Sequence, residues 1–181
     1  MVNFTSNTYQ MKREILSFSN KISKHLSKPD KKFSADMTYG MLAAGSCLLT
    51  DVVEQLHEDT KKVNSVERLT RHLNNGTSFT ALKSYLTAIR KWAPQEPVIH
   101  IDDSDVVKPD GYKFEALGLV RDGSKSTASK TVYEKGYHVT EACVLTKNNH
   151  PVSIFSKIHS SKEKNFTSNN DVTFSAMERG A

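Results

Sequence analysis

The first half of the chain spaces its apolar residues with the period of an α-helix, because they recur every three or four positions with polar residues between them. This pattern predicts four helices, over residues 9–26, 34–56, 64–74 and 78–93. Ser34 and Ser78 are candidate N-caps of the second and fourth helices, and Asn64 with Glu67 has the spacing of a capping box for the third. The pattern also assigns inward-facing positions to Leu69, Leu73, Phe79 and Leu82.

After Pro97 the hydrophobic pattern changes from helical to strand-like. A β-branched segment from Val98 to Ile101 predicts a strand that ends at the aspartates beginning with Asp102. Residues 109–135 are rich in Gly, Ser and Lys and predict a long loop with a short helix near 114–117, whereas 136–146 and 152–158 predict a hairpin and 171–179 a final helix. We therefore expect an α+β protein with two domains, residues 1–97 and 98–181.

Composition places the chain among ordinary globular proteins, since 37% of its 181 residues are hydrophobic and 25% are charged. No apolar run approaches the ~18 residues of a membrane helix, and the first ten residues lack the apolar core of a secretory signal, so we expect a cytoplasmic protein without a membrane partner. Cys47 and Cys143 each lie in an apolar stretch and are predicted to be buried. The phosphate-loop motif is absent, so no nucleotide cofactor is expected.

Positive charge is concentrated in the first domain. Residues 1–97 contain 14 Lys and Arg against nine Asp and Glu, whereas residues 98–181 contain 11 of each. This asymmetry indicates a domain that approaches a polyanion, and the alternative is a solvated basic surface without a partner. The candidate phosphate contacts are Arg68, Arg71, Lys83, Arg90 and Lys91 in the helices and Arg121, Lys125 and Lys130 in the loop after the first strand.

Three aspartates, Asp102, Asp103 and Asp105, follow the apolar strand within four positions. Carboxylate oxygens are ligands that Mg²⁺ prefers, and the end of a strand would hold one of them rigidly. A turn in which Asp side chains accept hydrogen bonds from backbone N–H groups is an equally open explanation. Because side chains alternate along a strand, Asp102 and Asp103 cannot both face one metal ion without a local distortion.

The segment Ile101-Asp102-Asp103-Ser104 resembles the one that contains the first catalytic aspartate in bacterial insertion-sequence DDE transposases of the cut-and-paste type. Residues 135–145 and 151–159 are similar to the second and third strands of the RNase H-like core of that family, and residues 119–124 also match in order and spacing. The resemblance covers roughly residues 98–175. The helical part resembles the family only in being a helical, basic domain that precedes the strand.

The resemblance implies an N-terminal helical bundle that binds DNA, followed by the first three strands and first helix of an incomplete RNase H-like core. It implies chemistry in which two Mg²⁺ ions activate water and then a DNA 3′-hydroxyl for attack on phosphodiesters. Asp103 matches the first metal ligand, and Asp102 is the alternative if the match shifts by one position. The implied partners are double-stranded DNA at transposon ends and a second copy of the protein on that DNA.

The family's second aspartate and its glutamate come later than the last residue of this chain. We therefore expect the N-terminal part of a transposase, with Mg²⁺ bound weakly or not at all and no catalysis by this part alone. Two other functions stay open: an inactive DNA-binding truncation product that inhibits transposition, and a non-enzymatic helical interaction protein. The second of these predicts only weak DNA affinity, with little dependence on salt.

Overall fold

The computed structural model describes residues 4–76 and 78–180. In these ranges the protein has an α+β fold with six α-helices and one small antiparallel sheet. The chain divides into two compact units, Met1–Lys91 and Trp92–Ala181. No helix within the described ranges has the length and apolar character needed to span a membrane.

The first unit contains only helices. They are α1 (Phe4–Ile22), α2 (Lys28–Ala44), α3 (Leu49–Leu56), α4 (Lys62–Asn75) and α5 (Phe79–Ile89), and a short 3₁₀ turn, Arg90–Trp92, follows α5. The buried residues Phe33, Val52, Val53 and Leu69 form the core, with partly buried methionines and aliphatic residues around them. The core therefore joins α2, α3 and α4.

The helix predicted over residues 34–56 is wrong, because two helices occupy this region. The true N-cap of α2 is Ser27, whose side chain accepts a hydrogen bond from the backbone N–H of Asp30, while Pro29 stands in the first turn, where its missing N–H costs nothing. The helix ends at Gly45, which has a φ of 62°. Glycine adopts this left-handed conformation without the steric cost of a Cβ, so the chain turns there and α3 starts separately.

Of the N-caps predicted for α4 and α5, one is wrong and one is confirmed. The capping box at Asn64 and Glu67 is wrong, because α4 starts at Lys62 and its N-cap residue, Lys61, makes no capping hydrogen bond through its side chain. The Ser78 cap is confirmed, since its side chain accepts a hydrogen bond from the N–H of Thr80.

Several residues predicted to face inward are exposed. Leu73 is 48% exposed and Phe79 is 69% exposed, and they lie in the last turn of α4 and the first turn of α5, where few neighbours pack against a helix. Leu82, at 37%, is also largely open to solvent, whereas the inward position of Leu69 is confirmed. Cys47 is exposed in the link between α2 and α3 and Cys143 is half-buried, so the prediction that both are buried is wrong.

The second unit is built on the antiparallel sheet. Its elements are β1 (Ile99–Val107), β2 (Gly118–Arg121), β3 (Tyr133–Leu145), β4 (Pro151–His159) and α6 (Asn169–Gly180). The 13-residue strand β3 is central, and β1, β2 and β4 all pair with it. The predicted hairpin is confirmed as β3 and β4, and the final helix as α6.

One end of the sheet and α6 share an apolar core. Val172 and Ala176 of α6 pack with Ala142 of β3 and Phe155 of β4. Ile99 and Ile101 of β1 lie against the same cluster. The face of β1 that contains these two isoleucines is therefore the face that α6 covers.

The first strand does not end at the aspartates, as predicted, but continues through them to Val107. Its length follows from β3, which offers a cross-strand partner to every residue from Ile99 to Val107. Two further expectations are wrong in the segment from 109 to 135: it contains the short strand β2, and no helix forms near residues 114–117.

Candidate functional site

The strand β1 places its three aspartates on two different faces of the sheet. Because side chains alternate along a strand, Asp103 and Asp105 share the face of Ile99 and Ile101, whereas Asp102 lies on the opposite face. The two candidate metal ligands are therefore separated by the sheet. We call the surface formed by Asp103, Asp105 and the side chains that contact them the acidic face.

Asp103 contacts a buried polar group on the neighbouring strand. It pairs in register with Thr140 of β3, and the Thr140 hydroxyl donates a hydrogen bond of 2.5 Å to the Oδ1 atom of Asp103. The same hydroxyl lies 2.9 Å from Nε2 of His159, the last residue of β4. Thr140 and His159 are fully buried, so this network fixes one side of an otherwise exposed carboxylate.

Asp105 has a different partner. It pairs in register with His138 of β3, and its Oδ1 atom lies 2.7 Å from Nδ1 of His138. The rings of His138 and His159 are stacked with their centroids 5.6 Å apart. The two aspartates of the acidic face are thus held by separate side chains, which limits the repulsion between like charges about 7 Å apart along the strand.

A cleft of about 640 Å³ opens beside Asp105. Its walls come from the end of β1, from Arg121 at the end of β2 and from the following loop, which includes Lys125. This loop is ordered by Asp122, whose buried carboxylate accepts hydrogen bonds from the backbone and hydroxyl of Ser124 and the N–H of Lys125. These hydrogen bonds lower the pKa of Asp122, and the bond from the Ser124 hydroxyl has the largest effect.

The predicted basic contacts of the second unit differ in their availability. Arg121 and Lys130 are exposed. Lys125 is also exposed, but its ammonium group lies 3.0 Å from Glu134 and 3.4 Å from Asp122, and these carboxylates raise its pKa, Glu134 most strongly. A phosphate near Lys125 would therefore compete with two carboxylates, whereas Arg121 reaches the cleft beside Asp105 directly.

The opposite face of the sheet contains Asp102. Asp102 stands directly across from Glu141 of β3, so two like charges share that face. Among the residues that the structure describes, no group of three or more His, Cys, Asp or Glu side chains is arranged to hold a metal ion. The oxygens of Asp103 suit Mg²⁺ in kind, and this carboxylate could supply one ligand of a larger set.

The basic residues predicted in the helical unit also separate into two groups. Arg68 is only partly exposed, and its guanidinium lies 2.7 Å from Asp36 and 2.9 Å from Glu58. The side chain of Arg68 therefore joins α4 to α2 and to the segment before α4. The other four predicted contacts, by contrast, are exposed: Arg71, Lys83, Arg90 and Lys91.

A basic groove between α1 and α5 was not predicted from the sequence. It has a volume of about 620 Å³ and is lined by Lys21 and His25 of the α1 region and Lys83 of α5, together with hydroxyl side chains of α5. Lys21 also lines a second depression along α1, of about 480 Å³, with Arg13 and Lys24. We call the first of these the α1/α5 groove. The signal in the sequence was the spacing of the α1 lysines, but only the packing of α5 brings Lys83 beside them.

Comparisons of the chain with protein-family models, with curated proteins and with solved structures found no match.

Proposed function

We propose that this protein binds double-stranded DNA through its helical unit and that its sheet unit is the opening part of an RNase H-like core of the DDE transposase type. In that core Asp103 acts as a ligand of catalytic Mg²⁺. The observation that carries the proposal is the position of Asp103: it lies within the first long strand, on the face that α6 covers at one end, two positions before Asp105, which lines a cleft together with Arg121.

The order of the elements supports this proposal. The strands β1, β3 and β4 are antiparallel neighbours, and α6 follows β4 and packs on one face of them. Three such strands followed by a helix are what the family resemblance implies for the start of the core. The short strand β2 is an addition within the connection between β1 and β3.

The geometry favours Asp103 over Asp102 as the metal ligand. Asp103 shares its face with Asp105, with the cleft beside Asp105 and with α6, whereas Asp102 faces Glu141 on the other side of the sheet. Bound Mg²⁺ would activate water, and then a DNA 3′-hydroxyl, for in-line attack on a phosphodiester. The residues of this chain would hold one oxygen ligand in place and position the DNA backbone near Arg121.

The α1/α5 groove supports the DNA-binding half of the proposal. A phosphate in this groove would meet the ammonium groups of Lys21 and Lys83 and the hydroxyls of α5. Such groups contact the DNA backbone without selecting a sequence. We therefore expect them to contribute affinity, with sequence selection left to other residues.

The metal role of Asp103 is tested by adding Mn²⁺ to isotope-labelled protein and following paramagnetic line broadening. In the wild type we expect weak binding of Mn²⁺, seen as broadening centred on β1 residues around Asp103 and on Thr140. Asp103→Asn should weaken Mn²⁺ binding at least tenfold, because the replacement removes the anionic ligand while keeping the shape of the side chain. The matched control is Asp102→Asn, which removes the same charge one position away and should change Mn²⁺ binding less than twofold.

Broadening centred on Asp102 and Glu141 would contradict the assignment of Asp103. An equal loss of Mn²⁺ affinity in Asp103→Asn and Asp102→Asn would contradict it as well. If DNA binding persisted in a protein that binds no Mn²⁺, the metal role would fail and the chain would be a DNA-binding protein without this chemistry.

A further inference from the structure

The buried end of β4 holds a histidine with an unusual hydrogen-bonding state. His159 is 1% exposed, and its ring lies between those of His138 and Phe166, with centroid distances of 5.6 and 6.1 Å. Its Nε2 atom lies 2.9 Å from the Thr140 hydroxyl, whereas its Nδ1 atom is buried without a hydrogen-bond partner in the described part of the chain. A buried polar side chain of this kind needs a reason to be retained.

The single hydroxyl proton of Thr140 determines which nitrogen of His159 is protonated. A carboxylate only accepts hydrogen bonds, so Thr140 must donate its proton to Asp103. The Thr140 oxygen can then only accept from His159, which places a proton on Nε2. Nδ1 is then the unprotonated nitrogen, a buried acceptor without a partner among the described residues.

The surroundings favour a neutral ring. Burial lowers the pKa of His159 most, and the charges of the neighbouring His138 and Lys157 lower it further, against the smaller opposite effects of Asp103 and Glu163. In its neutral form the ring contributes one N–H donor and no positive charge. The hydrogen bonds run in one direction, from His159 through Thr140 to Asp103.

We propose that His159 and Thr140 are positioning residues that hold the Asp103 carboxylate in one rotamer through a directed hydrogen-bond network. This inference rests on the proposed function, because it assigns a purpose to the network only if Asp103 binds the metal. The chemical reason is general: groups behind a metal ligand fix its orientation, and their loss weakens metal binding tenfold or more. The Nε2 proton locks the Thr140 hydroxyl toward Asp103, so that the free carboxylate oxygen keeps one direction.

The first test measures the protonation of His159 in the 181-residue chain by long-range ¹H–¹⁵N correlation spectra of the imidazole rings. In the wild type we expect the Nε2–H form. Asp103→Ala removes the acceptor and frees the Thr140 hydroxyl to donate to His159, so the ring should change to a mixture of the two neutral forms. Asp102→Ala is the matched control and should leave the spectrum unchanged.

The second test measures the rotamer of Asp103 from its three-bond couplings and the affinity for Mn²⁺ from line broadening. Thr140→Val keeps the shape of the side chain without the hydroxyl, and we expect rotamer averaging at Asp103 and at least tenfold weaker Mn²⁺ binding. Thr140→Ser restores the hydroxyl and should bind Mn²⁺ within about threefold of the wild type. Circular dichroism of each variant confirms that the sheet is folded.

The outcomes separate this inference from the proposed function. If the wild type binds no Mn²⁺ but the His159 and Asp103 signals respond as expected, the metal role fails while the positioning network stands. If Thr140→Val is folded and leaves the Asp103 rotamer and Mn²⁺ affinity unchanged, or if wild-type His159 carries its proton on Nδ1, the positioning role is overturned. Should Thr140→Val not fold, the response of His159 to Asp103→Ala decides the question in the same way.

Discussion

Gly136 lies at the point where three strands of the sheet meet. It pairs with Val107 of β1 and with Gly118 of β2. A Cβ at this position would overlap the carbonyl oxygen of Val106 and come within 2.5 Å of a methyl group of Val120. Because the first of these is backbone, it can move only if β1 moves away from β3.

We therefore expect Gly136→Ala to lower the free energy of unfolding of the sheet unit by about 1–3 kcal/mol, as overpacking usually does. The control is Gly123→Ala, where a Cβ would meet no atom within 4 Å and the change should stay within about 0.5 kcal/mol. Urea unfolding followed by circular dichroism, with hydrogen exchange of the β3 amides, measures the difference. Equal stability of the two variants would show that β1 and β3 are not packed as described.

At the scale of elements, sequence patterns predict most of the helices and the hairpin because the information is local. The Ser78 cap and the apolar period of β3 and β4 each lie within a few residues of what they determine. The length of β1 is different, since its acidic half becomes a strand only by pairing with residues about 35 positions later. The candidate site shows the same limit: the motif points to Asp103, but no local pattern indicates that Thr140 and His159 form a hydrogen-bond network with it.

Helices α2 and α4 of the first unit are joined by an ion-pair network around Glu58. The carboxylate of Glu58 lies 2.6 Å from the ammonium of Lys32 and 2.9 Å from the guanidinium of Arg68, and it accepts a hydrogen bond from Ser65. The hydrogen bonds from Lys32 and then Ser65 lower the pKa of Glu58 to about 2. The carboxylate thereby connects α2 with the start of α4.

A pKa lowered in the folded state stabilises the fold above the ordinary carboxyl value of 4.5 and loses that stabilisation as the pH falls toward 2. We expect Glu58→Gln to lower the free energy of unfolding by about 1–2 kcal/mol at pH 7, with solvent screening of a partly exposed pair taken into account. The difference from the wild type should shrink below pH 4.5. Urea unfolding at pH 7, 4.5 and 3 measures it.

Glu54→Gln is the control for this experiment. Glu54 pairs only with Lys62 in the described hydrogen bonds and ion pairs, and both side chains are more than half exposed, so its loss should cost less than about 0.5 kcal/mol. A difference between Glu58→Gln and the wild type that stayed constant from pH 7 to pH 3 would contradict the role given to this carboxylate.

At the scale of the whole molecule, the two units differ in charge. The first unit contains 14 Lys and Arg against eight Asp and Glu, whereas the second contains 11 against 12. Part of the positive charge in the first unit is neutralised internally, as Arg68 shows. The proposed DNA binding is therefore best tested on the positive charge that remains exposed in the α1/α5 groove, at Lys21 and Lys83, and not on the net charge of the unit.

Replacing both groove lysines, Lys21→Ala with Lys83→Ala, should weaken binding of a 20-base-pair duplex several-fold, whatever its sequence. Each phosphate contact that is lost should also make the negative slope of log affinity against log salt shallower by about 0.9. The slope of the double variant should therefore be shallower by about 1–2. Fluorescence anisotropy between 50 and 200 mM salt gives both quantities. Lys62→Ala is the charge control, because Lys62 is exposed and already paired with Glu54.

The slope of log affinity against log salt distinguishes a DNA-binding surface from a solvated basic surface better than the affinity itself does. Loss of general positive charge changes the slope in proportion to the number of lysines removed, so the double variant would show about twice the small effect of Lys62→Ala. A phosphate seated in the groove makes the double variant lose much more than that. If the change in slope for the double variant is only about twice that for Lys62→Ala, the α1/α5 groove is not the DNA contact. The proposed DNA binding by the helical unit would then have to rest on Arg71, Arg90 or Lys91.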